Sequence, residues 1–243
     1  MVDEVVRWPQ RRDGDPVLVL AHRGRSGSWR ENTVEAFAGA LRLGADGVEL
    51  DVRRTADGRL VVHHDPEIEG VGSIHALAGR ELPDWVPGLE AALETCAGFV
   101  VNVEIKNAPI EPGFDPDETV ATEVVAMTRE SGGPARVIVS SFWPATLIAV
   151  RAAGPEVATG LLVHPSLDAL QAAGQAASIG CVALHPFHAQ VDAPLVERVH
   201  AMGMGLLTWT VNEPDEVAAV GGAGVDGVIS DRVIEARAAL GRR

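Results

Sequence analysis

Glu49 and Asp51 stand two apart in GVELDV, a run otherwise suited to a buried strand, so alternation turns both carboxylates to one face and Val48 and Leu50 to the other. In NVEIK the same period places Asn102, Glu104 and Lys106 together, with Val103 and Ile105 opposite. The Asp57-Gly58 pair between two β-type runs is a hairpin signal. A turn centred there makes paired residue numbers sum to about 115, which sets His64 opposite Asp51 on the face that carries Glu49. Three carboxylates, an imidazole and an ammonium are thereby expected at one spot. Burying three anions costs several kcal/mol each without compensation, and a divalent cation is the simplest remedy. Donors that are all carboxylate oxygens favour a hard ion, Mg²⁺ or Ca²⁺, over zinc. The competing reading is a salt-bridge network between these acids and Lys106 or nearby arginines.

These residues need strands that end at a common place, and the remaining sequence supplies them. A short apolar run, 17–21, ends in His22-Arg23-Gly24, a polar triplet where α/β folds put their sites. Asn32, with Glu35 three residues on, forms a capping-box pattern opening a helix over 33–43, so Asn32 is a candidate both for a cap and for the site. The Gly- and Pro-rich stretch 66–87 reads as a loop or small insertion over the site, with a weak helical hint at 75–79. Helix 88–97 and strand 100–106 follow, then an acidic, Pro-rich loop at 107–117. Beyond it strands at 136–142, 157–163, 181–185, 205–211 and 225–230 alternate with helices at 118–131, 144–152, 167–176, 193–202, 214–221 and 232–240. Counting the second arm of the hairpin as an excursion leaves eight strands. The expected architecture is a single closed (β/α)₈ barrel over 17–243, preceded by an extension over 1–16. His22, Asp51, Lys106, Phe142, His164, His185 and Trp209 then fall near carboxyl ends of strands and can share one mouth.

Composition excludes several functions. A net charge of −14 repels nucleic acid and anionic membrane surfaces. Cys96 and Cys181 are isolated and read as reduced core residues. The first fifteen residues lack the apolar core of a signal peptide, and no apolar run is long enough to span a membrane, so a cytoplasmic location is expected. Lys106 is the only lysine in a chain that otherwise uses arginine, a hint that a compact ammonium is required there.

HRG at 22–24, ENT at 31–33, ELD at 49–51, HD at 64–65, EIK at 104–106, SSF at 140–142 and the tail TWTVNEPDEVAAVGGAGVDGVISD at 208–231 together resemble the glycerophosphodiester phosphodiesterase family. The resemblance runs from Val17 to Arg232 in the order and spacing of that family. It implies a (β/α)₈ barrel, a divalent metal, and hydrolysis of glycerophosphodiesters to an alcohol and glycerol 3-phosphate. Carried over by position, Glu49, Asp51 and Glu104 match metal-ligand carboxylates, and His22 and His64 the acid/base pair. Arg23 and Lys106 match phosphate-binding cations, Glu31 and Asn32 polar residues bordering the metal, and Phe142 and Trp209 apolar walls near the glycerol end. Two departures, Trp29-Arg30 before ENT where the family usually has proline, and EIEGVGS after HDP, lie toward the leaving group. The expected partner is a small-molecule glycerophosphodiester, with no stable membrane association and a homodimer left open beside a monomer. A related barrel phospholipase would want an apolar rim or basic face that this acidic chain does not advertise. A barrel kept only for binding would have lost a ligand or a histidine, and none is lost.

Overall fold

A computed structural model describes residues 15–25 and 29–242. The proposed N-terminal extension lies, through residue 14, outside the described residues. In chain order come β1 (Leu18–Ala21), α1 (Val34–Arg42), β2 (Gly47–Arg54) and its hairpin partner β3 (Leu60–Val62), then a miniature hairpin of β4 (Glu67–Ile68) and β5 (Gly72–Ser73). Next are α2 (Leu89–Thr95), β6 (Val100–Ile105), α3 (Thr119–Glu130), β7 (Val137–Ser141), α4 (Pro144–Ala153), β8 (Ala158–Val163) and α5 (Ala169–Ser178). The chain finishes with β9 (Ala183–Pro186), α6 (Ala193–Ala201), β10 (Gly205–Thr208), α7 (Pro214–Ala223), β11 (Gly227–Ser230) and α8 (Val233–Ala239).

Eight of these strands are parallel and close on themselves, in the order β1-β2-β6-β7-β8-β9-β10-β11 and back to β1. This is the (β/α)₈ barrel the sequence leads one to expect, with β3 as the antiparallel excursion. The strands are short, rich in valine and leucine, and buried on both faces, as parallel strands covered by helices must be. Outward residues such as Val48, Leu50, Val52, Val103 and Val139 join one apolar layer beneath the helices, whereas Leu20, Ile138, Ala183, Leu207 and Ile229 fill the barrel interior. The inward face of β2 is different, because Glu49, Asp51 and Arg53 are all buried there. The insertion carries an apolar cluster of its own, in which Ile68, Ile74 and Val86 pack on Val61.

Two local expectations need correction. The hairpin pairs Val52 with Val62 and Arg54 with Leu60, one residue short of the expected register, so His63 and not His64 lies opposite Asp51 and donates its N–H to the Asp51 carbonyl at 2.9 Å. The loop holds three residues, Ala56-Asp57-Gly58, with Gly58 at φ +81°, and Thr55 N–H closes it on Arg59 O at 2.9 Å. The capping box at Asn32 is also not formed. Helix α1 begins at Val34, and Thr33 caps it by accepting the Ala36 N–H at 3.2 Å. Asn32 is thereby released, at φ +56°, to point elsewhere.

Candidate active site

Strands β2 and β6 pair with Asp51 beside Glu104 and Glu49 beside Asn102, so the three carboxylates converge and one oxygen from each lies within 4.8 Å of the others. Lys106, just past the end of β6, sets its ammonium 3.0 Å from Asp51 Oδ1 and 2.5 Å from Glu104 Oε1. Asn32 donates from Nδ2 to Asp51 Oδ2 at 2.8 Å and is therefore a member of the site and not a cap. Arg23 sits in a left-handed turn at φ +53°, which aims its backbone N–H at Glu49 Oε2, 2.9 Å away. Its guanidinium reaches Glu31 Oε1 at 2.8 Å and Asp51 Oδ2 at 3.4 Å. Gly24 at φ +71° makes this turn possible, since a Cβ there would stand 2.6 Å from Phe37 Cδ1.

The charges at the cluster are unevenly compensated. Burial would raise Asp51, but Lys106, His64, Arg23 and the Asn32 amide hold it well below the usual carboxylate range. Glu49 has less help. Burial, then repulsion from Asp51, drives it far above its ordinary value, with His22 and Lys106 too weak to offset them. Its described hydrogen bond is to a neutral peptide N–H. Glu49 is thus the least compensated of the three, and three hard oxygen donors within reach of one another are compatible with a divalent cation such as Mg²⁺ or Ca²⁺.

Two imidazoles face this cluster across a cavity of about 150 Å³ that also takes in Arg23, Glu49, Glu104, Lys106, Phe142 and Trp209. Each imidazole is oriented by a carboxylate. His22 Nδ1 lies 2.9 Å from Asp231 Oδ1, and Asn212 braces Asp231 twice, Nδ2 donating to Oδ2 at 2.8 Å and Oδ1 accepting the Asp231 N–H at 2.9 Å. His64 Nδ1 lies 2.7 Å from Asp65 Oδ1. The two rings are tuned in opposite directions. Burial lowers His22, but the Asp231 hydrogen bond and the charge of Glu49 outweigh it and the net shift is upward. Burial also lowers His64, and there Lys106 and Arg23 add to the effect, so that the net shift is downward despite Asp51 and Asp65.

Phe142 and Trp209 meet edge to face, ring centroids 5.6 Å apart, and form the apolar wall of the cavity. Trp209 is pinned by its Nε1–H donating to the His185 carbonyl at 2.8 Å. Two histidines expected near the mouth are not at it. His164 lies in an exposed turn bonded to Ser166, and His185 is fully buried inside the barrel, where burial lowers it to about 3 and keeps it neutral. His63 packs against Trp85, over which the Arg30 guanidinium lies at 3.9 Å. A larger cavity of about 230 Å³ sits next door and shares Lys106, but it holds neither imidazole. No pattern in the sequence assigns Asp231, Asn212 or Asp65 a role, although Asp231 directly follows β11 at the carboxyl end of the barrel, the position where such residues are found.

Known proteins similar to this chain share one family description. Residues 22–235 match the glycerophosphoryl diester phosphodiesterase family. A glycerophosphodiester phosphodiesterase of Caldanaerobacter subterraneus subsp. tengcongensis is 33% identical over 235 residues, covering 88% of this chain and 93% of that one. Among solved structures, a phosphodiesterase of Oleispira antarctica in complex with the product sn-glycerol 3-phosphate superposes with a TM-score of 0.78 at 26% identity, covering 93% of this chain and 97% of that one. A glycerophosphodiester phosphodiesterase of Thermotoga maritima gives 0.75 at 26% identity, over 90% and 96%. With the motif-bearing strands, the closed barrel and the match over nearly the whole chain in agreement, the protein belongs to the glycerophosphoryl diester phosphodiesterase family.

Proposed function

We propose that this protein hydrolyses glycerophosphodiesters to an alcohol and glycerol 3-phosphate, with His22 and His64 as the acid/base pair. The observation that carries this reading is the pair of carboxylate-oriented imidazoles, shifted in opposite directions, facing one acidic cluster across one cavity. Between the two pKa values His64 is neutral and His22 protonated, which is the state a general base and a general acid need. His64 takes the proton of the glycerol 2-hydroxyl as its oxygen attacks phosphorus. His22 gives a proton to the alcohol oxygen as its bond to phosphorus breaks. The cyclic 1,2-phosphate so formed is opened by water with the two roles exchanged, and glycerol 3-phosphate leaves.

Glu49, Asp51 and Glu104 would hold the divalent ion, Mg²⁺ or Ca²⁺, and such an ion supplies Lewis-acid polarisation of a phosphoryl oxygen and of the attacking hydroxyl. Arg23 brings a fork suited to phosphate oxygens and Lys106 a point charge, while Glu31 and Asn32 keep Arg23 and Asp51 in place. Phe142 and Trp209 offer the glycerol carbons an apolar surface. No helix among the described residues is long and apolar enough to cross a membrane. The net charge of −14 favours a small water-borne substrate over a lipid surface, in keeping with glycerophospholipid degradation in the cytoplasm. The test is glycerol 3-phosphate released from glycerophosphocholine by His22→Ala and His64→Ala. Loss of about 100-fold or more in kcat is expected for each, and wild-type turnover by either removes that histidine from the mechanism.

A further inference from the structure

The mouth holds a buried arginine that the reaction above leaves unused. Arg53, on the inward face of β2 two residues beyond Asp51, is 6% exposed. Two of its donors converge on one backbone oxygen, Nε at 2.8 Å and Nη2 at 2.6 Å from the carbonyl of His64. The third, Nη1, lies 3.0 Å from Glu111 Oε2 on the loop between β6 and α3. A buried guanidinium could have been neutralised by Glu111 alone through a bidentate pair. Here the fork is spent on a neutral peptide oxygen, and the peptide is that of His64.

The reason lies in where the hairpin ends. Strand β3 stops at Val62, and the last rung of its ladder is the His63 N–H on Asp51 O. His64 therefore lies beyond the sheet, and Asp65 orients its ring through Nδ1 without fixing its backbone. We propose that Arg53 is a positioning residue, a strut from the loop at Glu111 to the His64 carbonyl that keeps the imidazole at its working distance from the substrate phosphorus. The inference rests on the assignment of His64 as an acid/base group, and displacement of such a group by about 1 Å costs on the order of 100-fold in rate.

The test uses the metal-loaded full-length protein with glycerophosphocholine and compares Arg53→Met, Arg53→Lys, Glu111→Gln and His64→Ala. Arg53→Met is expected to lower kcat about 10- to 100-fold with KM changed less than about threefold, because the substrate-binding groups are untouched. The acid limb of its kcat profile should move toward the ordinary histidine value as the loosened ring gains solvent. Arg53→Lys should recover part of kcat, since an ammonium can still donate to the carbonyl, and Glu111→Gln should keep most of it. A lowered Tm with kcat per folded molecule and both pH limbs unchanged would make Arg53 merely structural and overturn the inference. If Arg53→Met does not fold, Arg53→Lys and Arg53→Gln decide, and wild-type kcat in both overturns it equally. Wild-type turnover by His64→Ala would instead remove the assignment of His64 itself, whatever Arg53 does.

Discussion

Asp231→Asn gives the sharpest test of how the two histidines divide their work. Asp231 accepts two hydrogen bonds on different oxygens, from His22 Nδ1–H and from Asn212 Nδ2. Asparagine offers one oxygen and one amide, so it can serve only one of these donors and must turn its NH₂ toward the other. If it faces Asn212 correctly, its amide meets His22 Nδ1 and disfavours the imidazolium. Both side chains of the present pair are mostly buried, at 19% and 24% exposed, so the bond is little screened. A charge-assisted bond is about twice as strong as a neutral one, a difference of about 1–2 kcal/mol, which corresponds to roughly one unit of pKa. His22 now stands above its ordinary value and should fall by about that amount. In kcat/KM measured against pH by glycerol 3-phosphate release, the alkaline limb should move about one unit to lower pH, because it reports loss of the acid. The acid limb, which reports His64, should stay. Asn212→Ala keeps the carboxylate charge, so it should lower kcat with the alkaline limb in place. Movement of the acid limb alone in Asp231→Asn would mean that His22 titrates below His64, which overturns the opposite tuning of the two rings, and movement of neither would take the His22 proton out of the reaction.

Glu49→Gln should leave the protein more stable than wild type in EDTA at pH 8, by about 1–2 kcal/mol or roughly 2–8 °C in Tm. A carboxyl whose folded pKa is raised stabilises below its unfolded value of 4.5 and loses that contribution as pH climbs toward about 8, so the wild-type Tm without metal should decline over this window and the variant's should not. The same variant should lose most of the Tm increase that wild type gains from Mg²⁺ or Ca²⁺; an undiminished increase would place the ion elsewhere. Lys106→Arg should lower kcat/KM about 10- to 100-fold, since a planar guanidinium does not fit between Asp51 and Glu104 oxygens 3.0 and 2.5 Å from one ammonium, and near-normal kinetics would contradict this. Gly24→Ala, with a positive φ and Phe37 2.6 Å from the new Cβ, should cost about 2–3 kcal/mol, read as the shift of a urea midpoint.

What could be read from the sequence was what has a period. Alternation in GVELDV and NVEIK was enough to put Glu49, Asp51 and Glu104 on one face, because a buried strand leaves no other arrangement. The eight-strand count followed from the same reasoning. The hairpin shows where period alone fails. Asp-Gly is read most simply as a two-residue turn, yet Thr55 closes on both Arg59 and Asp57, which favours three residues in the loop and shifts the register by one. Asn32 failed for a related reason. Asparagine and threonine compete for the cap, and the buried Asp51 carboxylate offers the asparagine amide a stronger partner than a helix N-terminus does.

The residues that escaped notice are those whose partners are set by closure of the barrel. Asp231 lies 209 positions from His22, and only the pairing of β1 with β11 brings the end of one strand beside the other. Arg53 looked like one arginine among many in VRRTADGR, and its neighbour Arg54 does point outward, to Glu123 on α3. Alternation would have placed Arg53 inward, but nothing in the sequence says that a peptide oxygen waits there, since the His64 carbonyl is freed only because the ladder ends one residue early. The short register and the unused arginine are therefore one fact seen twice. With His64 opposite Asp51 in the ladder, its backbone would be held by the sheet and a guanidinium at position 53 would lack its acceptor; with the ladder ending at His63, the strut is what the site needs.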